Sequence, residues 1–264
     1  MSRPTLLVTG GLGALASVLN PALRESYDMR IATLAPTADA EDELVLGDLL
    51  DPAVMDRATR GVDAILHLAA MASPRAGWDE IAKNVAITAS LLDSAQRHGV
   101  GRIVLASSNH AAGLNYRDGE FPVAPQALPR PCCAYGAGKI AAEALGRLHA
   151  ERTGATVISL RFGLVGWPLA ERDYNAMWLS DHDARALVAG ALVTTVRHGI
   201  YFGVSRHGSR YWDIGNATSD LGYRPRDPLP AGAANLPWAH DTPCLMFPPR
   251  GTTASGPHPS SDTT

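Results

Sequence analysis

Thr5-Leu-Leu-Val-Thr9-Gly10-Gly11-Leu12-Gly13-Ala14-Leu15-Ala16 is a short apolar run that turns on glycines into a helical pattern. The run Thr5 to Thr9 reads as a buried strand, and Gly13 to about Glu25 as a helix that Pro21 bends or shortens. Gly10-x-x-Gly13-x-x-Ala16 thus follows a strand and opens a helix, the setting in which such spacing carries meaning. Gly10 permits the tight turn, Gly13 lets the backbone approach a pyrophosphate, and Ala16 is small enough for close helix-to-strand packing. The helix start adds free N–H groups and a positive dipole end. The alternative is a tight turn with no ligand.

Outward from this turn, strands and helices alternate. Strands are expected at Met29 to Leu34, Glu43 to Leu46, Ala64 to Leu68, Arg102 to Ser107, Thr156 to Arg161 and Ile200 to Val204. Helices are expected at Pro52 to Arg60, Trp78 to His98, through Tyr135 and Lys139 to about Thr153, and from the capping box Ser180-Asp-His-Asp183. Alternation of this kind implies an α/β fold, a doubly wound parallel sheet of the Rossmann type. We expect one domain over 1–240, with a cofactor-binding core to about 161 and a small C-terminal substrate-binding part from about 162. Proline, glycine, serine and threonine dominate 241–264, which reads as a flexible tail.

The chain has 264 residues, a formal net charge of −3 and 46% hydrophobic residues, enough for a sizeable core. No broad basic field is available for nucleic acid or an anionic membrane, and no apolar run is long enough to span a bilayer. A small molecule is the expected partner. Cys132 and Cys133 are adjacent and Cys244 is distant, so neither a disulfide framework nor metal-ligand spacing emerges and no metal is expected. The N-terminus shows no signal-peptide pattern, and a reducing, cytoplasmic setting is expected.

Gly10, Gly11, Leu12 and Gly13 would cradle a dinucleotide. An acidic residue about 20 positions on would normally hold the adenine ribose, but Ile31-Ala32-Thr33-Leu34-Ala35-Pro36 offers only the Thr33 hydroxyl. No cation stands there for a 2′-phosphate either, which favours NAD while leaving NADP open. Asp48, with Leu49 beside it, either accepts from the adenine amino group or is a solvated turn aspartate. The small residues of Leu68-Ala69-Ala70 leave room for the cofactor backbone.

Tyr135-Gly-Ala-Gly-Lys139 places a phenol and an ammonium one helical turn apart on one face. A phenol titrates near 10, and a cation about 4 Å away contributes on the order of 4 kcal/mol at an effective dielectric of about 20. Lowered by up to roughly 3 units, Tyr135 would be a base for a substrate hydroxyl, and both residues would also face the cofactor. Ser108 ends its strand at the carboxyl edge, where its hydroxyl would hold the reacting oxygen. Asn84 either organises a water chain to Lys139 or braces a local bend.

Glycine turn, strand-end serine and Tyr-x-x-x-Lys in this order resemble the extended short-chain dehydrogenase/reductase superfamily, in its NAD-dependent epimerase/dehydratase branch, over about residues 4 to 225. Ser107-Ser-Asn-His110, Arg161-Phe-Gly163, Trp178-Leu-Ser-Asp-His-Asp183 and Tyr211-Trp212-Asp213 are more specifically similar to uronate dehydrogenases. The resemblance implies NAD-linked oxidation of the anomeric carbon of a hexuronic acid, with catalytic Ser108, Tyr135 and Lys139. It implies a sugar lined by Ser73, Ser108, Asn109 and His110, its carboxylate held by Arg172, and a homo-oligomer. The chain departs from the family in lacking an aspartate near Thr33 and in having Leu164 for a serine. Ser73 and Arg172 each stand one place from the family position. The alternatives are an epimerase or dehydratase with retained NAD(P), and a non-catalytic dinucleotide sensor. Tyr174, Trp178 and Trp212 either wall the pocket or fill core. Cys132 and Cys133 are expected to pack nearby without reacting.

Overall fold

The structure is a computed structural model that describes residues 3–36, 42–237 and 244–247. Seven strands form one sheet: β1 (Thr5–Thr9), β2 (Asp28–Thr33), β3 (Glu43–Leu46), β4 (Ala64–His67), β5 (Arg102–Ser108), β6 (Thr156–Phe162) and β7 (His198–Gly203). All pairings are parallel, and the order is β3-β2-β1-β4-β5-β6-β7. The helices are α1 (Ala14–Leu23), α2 (Pro52–Thr59), α3 (Trp78–Arg97), α4 (Gly113–Arg117), α5 (Ala134–Thr153), α6 (Asp181–Val193) and α7 (Gly215–Leu221).

Strand alternation divides the core between the two faces of the sheet. Leu6 and Val8 pack with Val18 and Leu19 of α1 and Leu187 and Val188 of α6. Leu7, between them in sequence, packs with Met55 of α2, Leu91 of α3 and Ala150 of α5. Both faces are covered, so the strands read as continuous apolar runs. Pro21 lies inside α1, which ends two residues later. A third apolar cluster, around Trp212, Phe202 and Cys132, fills the space beyond the carboxyl ends of β5 and β6.

Part of the stretch expected to be a flexible tail is packed: Cys244 and Met246 are buried in that third cluster. The Leu245 N–H donates to the Cys132 carbonyl at 3.0 Å. Residues 241–243 and 248–264 lie outside the described residues. Among the described residues, no helix is long and apolar enough to cross a membrane.

His67 ends β4 deep in the fold, its ring bonded to the hydroxyls of Thr9 (2.7 Å) and Thr88 (3.2 Å). Burial, with a smaller contribution from Lys139, lowers its pKa to about 3. Because the unfolded chain takes up this proton near 6.5, stability is present above that pH and is lost as pH falls toward 3. The loss at about pH 4.5 should reach roughly 3 kcal/mol as an upper bound. Denaturant unfolding at pH 7 and at the lower pH checks this, and His67→Asn should flatten the dependence. An unchanged slope in that variant would refute the assignment.

Candidate active site

β1 and β4 are neighbours from which the chain departs in opposite directions across the sheet, so the topological switch point lies between them. A cleft of about 980 Å³ opens over their carboxyl ends and extends to β5. Gly10, Leu12, Gly13, Ala14 and Leu15 form one wall, and Leu68, Ala69 and Ala70 face them.

The glycine turn is built for close approach. Gly10 has φ +65°, and a Cβ there would stand 2.8 Å from the Ala69 Cα. Its N–H donates to the Ala32 carbonyl, and its own carbonyl accepts from the Gly13 N–H at 3.0 Å. Gly13 precedes α1 in extended conformation with no capping side chain, and no acidic residue occupies the first turn. That helix end is therefore suited to phosphates. Gly11 does not line the cleft; a Cβ there would meet Ile31 at 2.6 Å, so this glycine serves packing against β2. Thr33, Asp48 and Leu49 line the far end of the cleft. The Asp48 carboxylate also accepts from the Leu50 N–H at 2.9 Å, and the Thr33 hydroxyl donates to the Ala35 carbonyl at 3.2 Å.

At the opposite end, Ser108, Asn109, His110, Tyr135 and Lys139 come together as expected. Ser108 closes β5, and its hydroxyl accepts from the His110 N–H at 3.2 Å while also bonding the Tyr135 phenol. Lys139 lies one turn along α5, its ammonium 5.4 Å from the Tyr135 ring centroid and donating to the Ala106 carbonyl at 2.6 Å. The electrostatics differ from the sequence-based expectation. Burial pushes the phenol up to about 12, against a lowering by the Ser108 hydrogen bond. Burial likewise brings the Lys139 amine down to about 8, with the Glu143 charge opposing it. Desolvation outweighs the lowering by Ser108, and the phenol rises instead of falling.

A buried network holds this end in register. Arg161 of β6 grips Glu143 of α5 with two hydrogen bonds of 2.8 Å. The Ser107 hydroxyl donates to the same carboxylate at 2.5 Å. Strands β5 and β6 and helix α5 are thereby joined beside Ser108, Tyr135 and Lys139.

Asn109 is 1% exposed, and among the described residues neither its amide nitrogen nor its oxygen has a hydrogen-bond partner. The Asn84 side chain bonds both backbone groups of Met71, bracing the loop after β4. Ser73 and Arg172 do not line this cleft among the described residues. The Ser73 hydroxyl instead accepts from the Arg75 N–H at 3.1 Å, and the Arg172 N–H donates to the Pro237 carbonyl at 2.8 Å. Tyr174 does wall the cleft, whereas Trp212 is core, stacked on Tyr116 with ring centroids 5.1 Å apart. Trp167 and Lys83 also line the wall. Sequence reasoning missed both, because an exposed loop tryptophan and a helix lysine carry no motif.

The His110 ring meets Tyr135 edge-on, with centroids 5.7 Å apart. Burial alone would lower the His110 imidazole, but the adjacent Cys133 and Cys244 sulfurs carry it up to about 9.

The family model described as the NAD dependent epimerase/dehydratase family matches residues 6–176. The chain belongs to this family. It is 32% identical to the uronate dehydrogenase of Pseudomonas syringae pv. tomato over 262 residues, covering 96% of this chain and 94% of that protein. It is 31% identical to the NAD-dependent glucose-6-phosphate dehydrogenase of Haloferax volcanii, covering 86% of this chain and 94% of the relative. Among solved structures it is similar to a tyrosine-to-alanine variant of the Agrobacterium tumefaciens uronate dehydrogenase complexed with NAD. The TM-score is 0.78 at 28% identity, covering 86% of each chain.

Proposed function

We propose that this protein is an NAD-linked dehydrogenase that oxidises the anomeric hydroxyl of a hexuronic acid, giving an aldarolactone. The observation that carries the reading is the joining of Ser108, Tyr135 and Lys139 at the end of β5, across the cleft from the glycine turn. The buried Asn109 amide, with donor and acceptor both uncommitted, adds a group suited to a sugar hydroxyl.

Gly10, Gly13 and the start of α1 fit the pyrophosphate of NAD, and Thr33, Asp48 and Leu49 fit its adenosine half. When bound, oxidised NAD supplies the hydride acceptor and a positive charge near the phenol. Ser108 holds the substrate oxygen, and Tyr135 takes the hydroxyl proton as the carbon is oxidised. Lys139, fixed by the Ala106 carbonyl, keeps a cation against the phenol ring and favours its deprotonated form.

The test is direct. Pure protein is incubated with NAD and galacturonate or glucuronate, and absorbance of the reduced cofactor is followed. Reduction is expected with a uronate and should exceed that with glucose 6-phosphate. Failure with every uronate would remove the substrate assignment while leaving the family intact.

A further inference from the structure

His110, the adjacent pair Cys132 and Cys133, and Cys244 come from three separate stretches of sequence and meet in the fold. His110 sits in a 3-10 turn, Asn109–Ala112, directly after β5. Cys132 and Cys133 lead into α5, with Cys133 at its N-cap. Cys244 belongs to the docked segment 244–247. The three sulfurs lie 3.3, 3.4 and 3.4 Å from the His110 Nδ1. All four candidate ligand atoms fall within 4.8 Å of one another. The three cysteines are free thiols.

One ring nitrogen has a single lone pair or a single N–H, so it serves one thiol at a time. Three sulfurs at nearly equal distance are therefore poorly explained by hydrogen bonding. They have the arrangement of ligands around a common centre. With Zn–S near 2.3 Å and Zn–N near 2.0–2.1 Å, a tetrahedral site has N-to-S edges of about 3.5 Å, close to the three distances here. The Cys132 and Cys244 sulfurs, 2.8 Å apart, would have to open by about 1 Å to match the tetrahedral S-to-S edge.

The surroundings are shaped for this cluster. A Cβ at Gly113 would stand 2.3 Å from the Cys132 Sγ, and one at Gly136 would stand 2.3 Å from the His110 carbonyl oxygen. Both glycines clear the space through which the ligands converge. Cys132 and Cys244 are buried, while His110 and Cys133 are half-buried, which gives an ion a path of entry.

We propose that His110, Cys132, Cys133 and Cys244 form a closed Cys3His site for a zinc ion. Four protein ligands leave no open position, so the ion is structural. Binding releases the thiol protons to solvent. It ties the segment 244–247 to the start of α5, two residues before Tyr135. The inference stands on these four residues alone and does not depend on the substrate assignment.

The full chain, reduced, treated with chelator and then freed of chelator, is titrated with cobalt(II) and afterwards with zinc. Stoichiometric uptake is expected, with thiolate-to-cobalt charge-transfer absorption and tetrahedral d–d bands that zinc discharges. Cys244→Ser and Cys133→Ser should each weaken metal binding by at least about tenfold. Circular dichroism checks that both variants are folded, and Cys133, half-buried, is the safer of the two. Substoichiometric uptake, octahedral spectra without thiolate absorption, or unchanged affinity in a folded variant would each overturn the proposal. So would a Cys132–Cys244 disulfide in the isolated protein whose reduced form takes up no cobalt, an outcome that would mark a redox pair.

Discussion

Tyr135→Phe is expected to lower kcat by about two to four orders of magnitude, the range for removing a positioned acid–base group. That corresponds to about 3–5 kcal/mol of barrier. The fold and NAD affinity should stay near those of the wild type, because the phenyl ring still fills its place against His110. The pH dependence gives a second, independent readout. In the proposed mechanism the deprotonated phenol is the working form for oxidation, and burial holds its pKa at about 12. Wild-type kcat/KM, which reports the free enzyme, should therefore climb with pH through and above neutrality. Residual activity of the variant should not follow this limb. Steady-state rates from pH 6 to 10 measure both effects. A variant within tenfold of the wild type, or one with the same rising limb, would remove Tyr135 from the chemistry.

That expectation also marks what the amino-acid sequence conveys and what it withholds. β1 at Thr5–Thr9 and β3 at Glu43–Leu46 fall where the apolar runs place them; β1 is covered on both faces and has no polar alternation to blur it, whereas β3 is an edge strand with only Val45 buried. Tyr135 and Lys139 were legible as a pair because a helical turn fixes their separation. The balance on the phenol was not legible. The lysine's position is local, whereas the burial that raises the phenol depends on the tertiary fold around α5. Ser73 and Arg172 were placed by family spacing, and a shift of one residue turns Ser73 from the cleft to the Arg75 N–H. The cysteine cluster was hidden for a different reason. Cys132 and Cys244 lie 112 positions apart, and only the docking of segment 244–247 against the end of the sheet unites them.

The second large effect is expected at Arg161. Its guanidinium is fully buried, fixed to Glu143 and set over the Phe202 ring, with 5.3 Å to the centroid. Removing one member of a buried pair leaves the other charge desolvated, at a cost of about 3–5 kcal/mol. For a domain of this size each kcal/mol moves Tm by roughly 2–4 °C, so Arg161→Leu should lower Tm by roughly 6–20 °C. Glu143→Gln keeps the shape, removes the charge and leaves Arg161 unpaired, so it should fall in the same range. The double variant Arg161→Met with Glu143→Leu should recover much of the loss, since well-packed apolar groups often replace such a pair without penalty. Activity should not recover with it. Without the Glu143 carboxylate, Ser107 loses its acceptor and Lys139 loses the charge that opposes its lowering by burial. Thermal unfolding beside kcat thus separates two roles for one network, holding the sheet to α5 and keeping Lys139 charged. A single variant with Tm within about 2 °C of the wild type would remove the first role, and a double variant with wild-type kcat would remove the second.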